Sequence, residues 1–409
     1  MTTSMFTAIG ALGLHQTFMD VVADNLANAN TPGFKASRVL FQDQFSQVLS
    51  PGSAPSTGNG GLNPVQVGLG AQMGYATPIF TQGMLQETGR NLDLGIQGDG
   101  FFIYTDSAGG YRYSRDGSLQ VDSQGYLVNG ATGARVQGWQ LETGQAGPVD
   151  PLQPITSLRL PLDLTLARAT TKVSFGGNLY PQSTDSGGGA TTYTTTAGVF
   201  DSLGARHDLQ IKFTSAGDLA WDWEVTGPEG ASGNGTLTFD ENGQIADDST
   251  GGTVTIPGAN GAADMEVTLD FSGATMLAGP NSLTLSSQDG LAAGQVSDVY
   301  VAPNTGEIYL LFTNGLKQLL GQTAIARFAN PSGLLRDGHS MFRVGLNSGD
   351  PSVGLPNTGG RGSVAPEHIE GSNVDMAKEF TNMILAERGF QASARVITTS
   401  DEMTLELVN

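Results

Sequence analysis

The sequence predicts a mainly β protein with long α-helices at both termini, built from nested, discontinuous domains: a helical, coiled-coil-like stem, an inner β domain and an inserted outer β domain. Three features predict this. Apolar residues recur at heptad spacing at both ends, and short-turn dipeptides punctuate the chain between them. In addition, 58 Gly and 18 Pro among 409 residues, about 19% against roughly 12% on average, require frequent turning. At 38% hydrophobic the chain can build cores, and its length suggests roughly two to four domains.

At the N-terminal end, Met5, Ala8, Leu12, His15, Met19, Val22, Leu26 and Ala29 fall at alternating steps of three and four. That is a heptad seam rather than a broad amphipathic face. Thr31-Pro32-Gly33 ends it, because Pro disfavours a helical residue before it and Gly releases the chain. About 26 residues at roughly 1.5 Å each give a rod near 39 Å long.

The C-terminal stretch opens at Ser372-Asn373-Val374-Asp375, where Ser372 and Asp375 resemble a capping box. Met376, Phe380, Met383, Phe390, Ala394 and Ile397 continue with heptad spacing, interrupted by Glu387 and Asp401. Gly10, Gly13 and Gly389 each cost about 1 kcal/mol relative to Ala, so neither helix is expected to stand alone. The expected self-assembly stem is therefore Met5, Leu12, Met19, Val22 and Leu26 with Met376, Phe380, Met383, Phe390 and Ile397, ordering on assembly.

Between the ends, Asp99-Gly100, Asp116-Gly117, Asn129-Gly130, Asn242-Gly243, Asp289-Gly290, Asn314-Gly315 and Asp337-Gly338 are dipeptides that hairpins favour. Ser50 to Gly61 and Gln182 to Gly189 read as polar linkers. The expected order is a stem helix and turn over 1–35, a linker or extended segment over 36–74, and the first segment of the inner β domain over 75–149. The outer β domain follows over 150–285, then the second segment of the inner β domain over 286–365 and the second stem helix over 366–409.

Composition narrows function. The net charge is −20 and the five Lys are scattered, so the clustered cations that displace counterions from nucleic acid are missing. No Cys is present, which removes disulfide and thiolate chemistry. No run of about eighteen apolar residues suggests membrane insertion, and no cationic-then-apolar start suggests a cleaved secretory signal. The expectation is a cytoplasmic protein or one exported by a route that does not read such a signal.

Catalytic, metal and cofactor sites are all expected to be absent. His15, His207, His339 and His368 make no pair at ligand spacing, and no HExxH, Ser-x-x-Lys or Gly-x-Ser-x-Gly pattern occurs. Gly68 to Gly74 imitates a dinucleotide loop with its third Gly one residue late, and Asp240-Glu241-Asn242-Gly243 lacks EF-hand spacing. Trp221 and Trp223 face one side of a strand, as core residues or as a sugar platform.

The two ends carry a specific resemblance. Asp24-Asn25-Leu26-Ala27-Asn28-Ala29-Asn30-Thr31-Pro32-Gly33-Phe34-Lys35 resembles the N-terminal signature of the flagellar rod and hook family of axial proteins. Ser372 to Ala377, Met383-Ile384 and Arg388 to Ala392 resemble its C-terminal partner, and Ile96 to Phe102, Tyr113 to Gly117 and Phe328 to Leu334 extend the likeness inward. Asn28, Asn30, Thr31, Pro32, Gly33 and Phe34 form the family-motif turn. Val199 to Gly204 and the large insert resemble hook members; a distal-rod-like member is the alternative, and a β-rich adhesin or carbohydrate-binding protein a more distant one.

The resemblance implies a non-enzymatic structural subunit of the bacterial flagellum. Its implied partners are itself, as an open helical homopolymer, with the rod, hook-cap and hook-filament junction proteins and the type III export apparatus. It also implies an extracellular location without a cleaved signal peptide, and a curved hook acting as a universal joint.

Overall fold

The computed structural model describes residues 2–55, 57–58, 60–142, 147–181, 190–217, 219–246 and 251–408. The expected linker from Gln182 to Gly189 lies outside the described residues. Strands dominate, with one long helix at each end, α1 (Thr2–Ala27) and α2 (Met376–Val408). The chain divides into two compact units, one comprising 1–160, 300–309 and 319–409, the other 161–299 and 310–318.

The second unit carries an eight-stranded sheet, ordered Thr192–Phe200, Arg206–Gly217, Ala220–Thr226, Ser232–Thr238, Gly251–Ile256, Met265–Thr275, Lys172–Asn178, Thr284–Gln288. Its pairs are antiparallel except Lys172–Asn178 beside Met265–Thr275. Period-two alternation sends Leu209, Ile211 and Phe213, then Trp221, Trp223 and Val225, then Val267, Leu269 and Phe271 into one core. Tyr193 Oη donates to the Leu283 carbonyl at 3.0 Å, tying the first edge strand to the segment entering the last.

Trp221 and Trp223 are both buried in that core, so neither offers a sugar platform. Trp223 lies flat over Gly235 and Gly252, where any Cβ would overlap the indole. The core reading of the pair is the one the fold realises.

In the first unit, Phe101, Tyr113, Phe328 and Phe342 form an edge-to-face aromatic cluster with Phe80, Tyr113 and Phe328 having ring centroids 4.8 Å apart. The stretch after α1 carries more regular structure than a plain linker. Ser37–Asp43 pairs antiparallel with Ala71–Pro78, and Ser46–Ser50 with Val65–Gly68, making a ribbon.

The dipeptides divide by chemistry. Asn129-Gly130, Asn242-Gly243, Asn314-Gly315 and Asp337-Gly338 sit in closed turns, as the Asp240 amide donating to the Gln244 carbonyl, and the Asp337 and Met341 amides donating to the Met341 and Gly338 carbonyls, show. Asp289-Gly290 does not join paired strands; the Asp289 carboxylate instead accepts the Thr171 and Lys172 amides, both at 2.9 Å. An Asp before Gly can satisfy a distant backbone as well as a local turn.

Candidate functional site

The helices α1 and α2 pack side by side along a narrow seam. Ala8, Val22 and Ala386 are its fully buried apolar side chains. Leu12, Met19, Leu26, Met383, Phe390 and Ile397 are half-buried, whereas Met5, Met376 and Phe380 are exposed in the single chain. Small residues let the helices approach closely. Gly389 receives the His15 imidazole, which a Cβ there would overlap, and His15 and Phe18 meet Phe41 of the ribbon edge-on at 6.3 and 5.9 Å. Gly10 and Gly13, in contrast, have open space where a Cβ would project.

Beyond the seam, a polar junction holds the helix roots. α1 ends at Ala27, and the Asn28 side-chain amide donates to the Asp24 carbonyl at 2.9 Å while Asn28 Oδ1 accepts from the Thr31 hydroxyl at 3.1 Å. Pro32 is half-buried and Asn30 exposed on the outside of the turn. Gly33 has φ +65°, and a Cβ there would come within 2.5 Å of the Asp116 amide nitrogen, so both conformation and space require Gly. Phe34 is buried beneath the Arg336 guanidinium, 4.8 Å from its ring centroid.

Asn25 and Asn373 act as paired backbone surrogates. Asn25 exchanges bonds of 2.9 and 2.8 Å with the Ser37 carbonyl and amide, and its Nδ2 also reaches Glu379 of α2 at 3.4 Å. Asn373 Oδ1 accepts the Ala36 amide at 2.7 Å while its Nδ2 donates to the Ile79 carbonyl at 2.8 Å. Ser372 does not cap α2. Its hydroxyl accepts the Val374 amide, and Asp375 takes the cap position, its carboxylate accepting the Lys378 amide at 3.2 Å.

At the centre lies a buried ion cluster. Lys35 Nζ stands 2.5 Å from Glu370 Oε1 and donates to the Thr81 carbonyl at 2.7 Å; Arg115 Nη1 reaches Glu370 Oε2 at 3.2 Å. The Gly83 amide donates to Glu370 Oε1 at 2.8 Å, and the Gly33 amide to the Glu370 carbonyl at 2.8 Å. Burial pushes the Lys35 ammonium below its ordinary range, with Glu370 opposing that shift. Arg115 is moved the same way for the same reasons.

Among the described residues no group of three His, Asp or Glu could hold a metal, and no helix is long and apolar enough to cross a membrane. His207 bonds to Asp201 at 3.0 Å inside its own turn. The motif turn is brought against Glu370, Arg115 and Arg336, three residues that sequence spacing does not single out. In the sequence Arg115 enters only within the Tyr113 to Gly117 resemblance, and nothing marks Glu370 or Arg336.

Four family models match the chain: "Flagella basal body rod protein" over residues 5–35, "Flagellar hook protein FlgE/F/G D1 domain" over 95–178, "Flagellar basal body protein FlaE D2 domain" over 181–291, and "Flagellar basal body rod FlgEFG protein C-terminal" over 365–409. Flagellar hook protein FlgE of Borreliella burgdorferi is 35% identical, over 100% of this chain and 99% of that protein. The Escherichia coli flagellar hook protein FlgE is 32% identical over 98% of each chain, and the Bacillus subtilis basal-body rod protein FlgG 28% identical over 100% and 99%. A crystal structure of Helicobacter pylori flagellar hook protein FlgE2 matches 70% of this chain and 100% of its own, with a TM-score of 0.48 and 15% identity.

Proposed function

The chain belongs to the flagellar hook protein family and is a structural subunit of the flagellar hook, and on that premise we propose how it assembles. The stem helices hold each other along a thin seam of small residues and leave their larger apolar side chains for neighbouring subunits. The observation that carries this reading is the exposed apolar surface of a single chain: Phe6 and Ile9 on α1, and Phe380, Ile384, Leu385 and Val396 on α2. Such a surface is costly in a monomer and marks an interaction face. Phe45 and Leu62 of the ribbon add to it.

A contact between two different faces of identical subunits does not close, so it generates an open helical polymer. The half-buried Leu12, Met19, Leu26, Met383, Phe390 and Ile397 belong to this assembly face, with Met5, Met376 and Phe380, whereas Val22, expected there from its spacing, is 1% exposed and already buried within the chain. The motif turn from Asn28 to Phe34 orients it. Permanent contacts in the stem, with polar re-registering contacts between β domains, would let a curved tube rotate as a universal joint.

The same reading makes the chain a non-enzyme that is exported by the type III apparatus to the outside of the cell without a cleaved signal. It would meet the rod below, the hook cap during growth and the junction proteins above.

The test is electron microscopy of the purified chain under polymerising conditions, with circular dichroism before and after, for the natural chain and for Leu26→Asp and Phe390→Asp separately. Curved tubes from the natural chain and none from either variant are expected. Normal tubes from both variants would sink the stem assignment, and straight filaments from the natural chain would return weight to a rod-like role.

A further inference from the structure

We propose that Glu370 is the shared counter-ion that couples docking of the two chain ends, and that the C-terminal end docks first. The three charged groups come from three places: Lys35 from the turn after α1, Glu370 from the strand His368–Glu370 leading into α2, and Arg115 from the inner β body. Their side chains are 0%, 0% and 3% exposed, so water contributes almost nothing to their solvation.

Charge counting gives the order. In the folded chain Arg115 is a buried cation whose main attraction is to Glu370, with Asp99 adding to it and the Phe101 ring 5.3 Å away. Its Nε has no acceptor among the described residues. Arrival of Glu370 forms a balanced pair. Arrival of Lys35 first would instead place a second cation beside Arg115 with no carboxylate between them, and such uncompensated burial is strongly unfavourable. Lys35 is therefore admitted only after Glu370 is home.

The backbone reinforces the sequence of events. The Gly33 amide donates directly to the Glu370 carbonyl, and Ala36 to Asn373 Oδ1, so the N-terminal turn docks onto atoms that the C-terminal segment supplies. Neither the coupling nor its order depends on which helix faces meet other subunits.

Hydrogen exchange of the full-length chain, followed by mass spectrometry, tests it. Peptides covering 31–37 and 368–376 report the two ends, and the strand Phe101–Thr105 reports the body. Glu370→Gln should accelerate both end peptides by on the order of a hundredfold or more and leave the body unchanged. Lys35→Met should leave 368–376 protected, because the Arg115–Glu370 pair stays balanced. The double variant should recover much of the protection at 31–37 that Glu370→Gln alone loses.

Acceleration confined to 368–376 in Glu370→Gln overturns the coupling. Equal opening of 368–376 by Lys35→Met overturns the order, and absent protection at 31–37 in the natural chain overturns both. Should Glu370→Gln also unfold the body, the Lys35→Met result still decides the order and the double variant decides the coupling.

Discussion

Phe380 offers the sharpest quantitative test of assembly through exposed helix faces. It lies in the first turns of α2 and remains 53% exposed in the single chain. A fully buried Phe covers on the order of 200 Å², so about 100 Å² is left for a neighbour. At roughly 25 cal/mol per Å² that is about 2.5 kcal/mol, and about 2 kcal/mol once the methyl retained in Phe380→Ala is counted. Each subunit added to a growing tube would lose that amount, which raises the critical concentration for polymerisation roughly thirtyfold. Sedimentation of tubes from monomer over a concentration series measures it directly. The monomer's helix signal should hold or rise slightly, because Ala is the better helix former. Tubes at an unchanged critical concentration, with monomer helicity intact, would refute the idea that this face is buried by assembly.

Three further outcomes follow from local geometry. Gly389→Ala should destabilise the α1–α2 pair by about 1 to 3 kcal/mol by overlapping the His15 imidazole, and His15→Ala in the same chain should restore much of the loss; additive effects on the helix melt would deny the contact. Gly10→Ala and Gly13→Ala meet open space and should each strengthen α1 by about 1 kcal/mol, read as a gain in monomer helicity. Asp270 is lowered to about 2, first by Lys172 at 2.7 Å and then by Ser272. A folded value below the unfolded one means its contribution is present above about pH 4 and fades as pH falls toward 2. Lys172→Met should raise that carboxylate in an NMR titration, with a stability effect below about 1 kcal/mol because the pair is largely solvated.

The terminal helices and the outer β core are legible in the sequence because they rest on local periodicity. Heptad steps from Met5 to Leu26 and the alternation around Trp221 and Trp223 are readable without knowing what lies opposite. The ion cluster is not, because Lys35, Arg115 and Glu370 are far apart in sequence and each looks like an ordinary solvated charge until its burial is known. The exposed half of the seam escapes the pattern for a related reason. Heptad spacing identifies which residues share a face, but Phe380 and Val22 occupy that pattern equally; Val22 is buried where α1, the stretch 36–39 and α2 meet, and Phe380 is left 53% exposed.

That division explains why the junction is polar. The seam's apolar contact is small, Ala8, Val22 and Ala386 with the His15 imidazole against Gly389, so sliding α2 along α1 by one heptad would forfeit little apolar area. The same slide would break Asn25 from Glu379 and pull Asn373 from Ala36 and Ile79. Each buried donor or acceptor so orphaned costs about 1 to 3 kcal/mol. Polar bonds at the root thus fix register for the whole stem while contributing little to its area, and the apolar surface above stays free to meet neighbours. A stem held instead by a large apolar seam would be more stable alone and would have less left with which to polymerise.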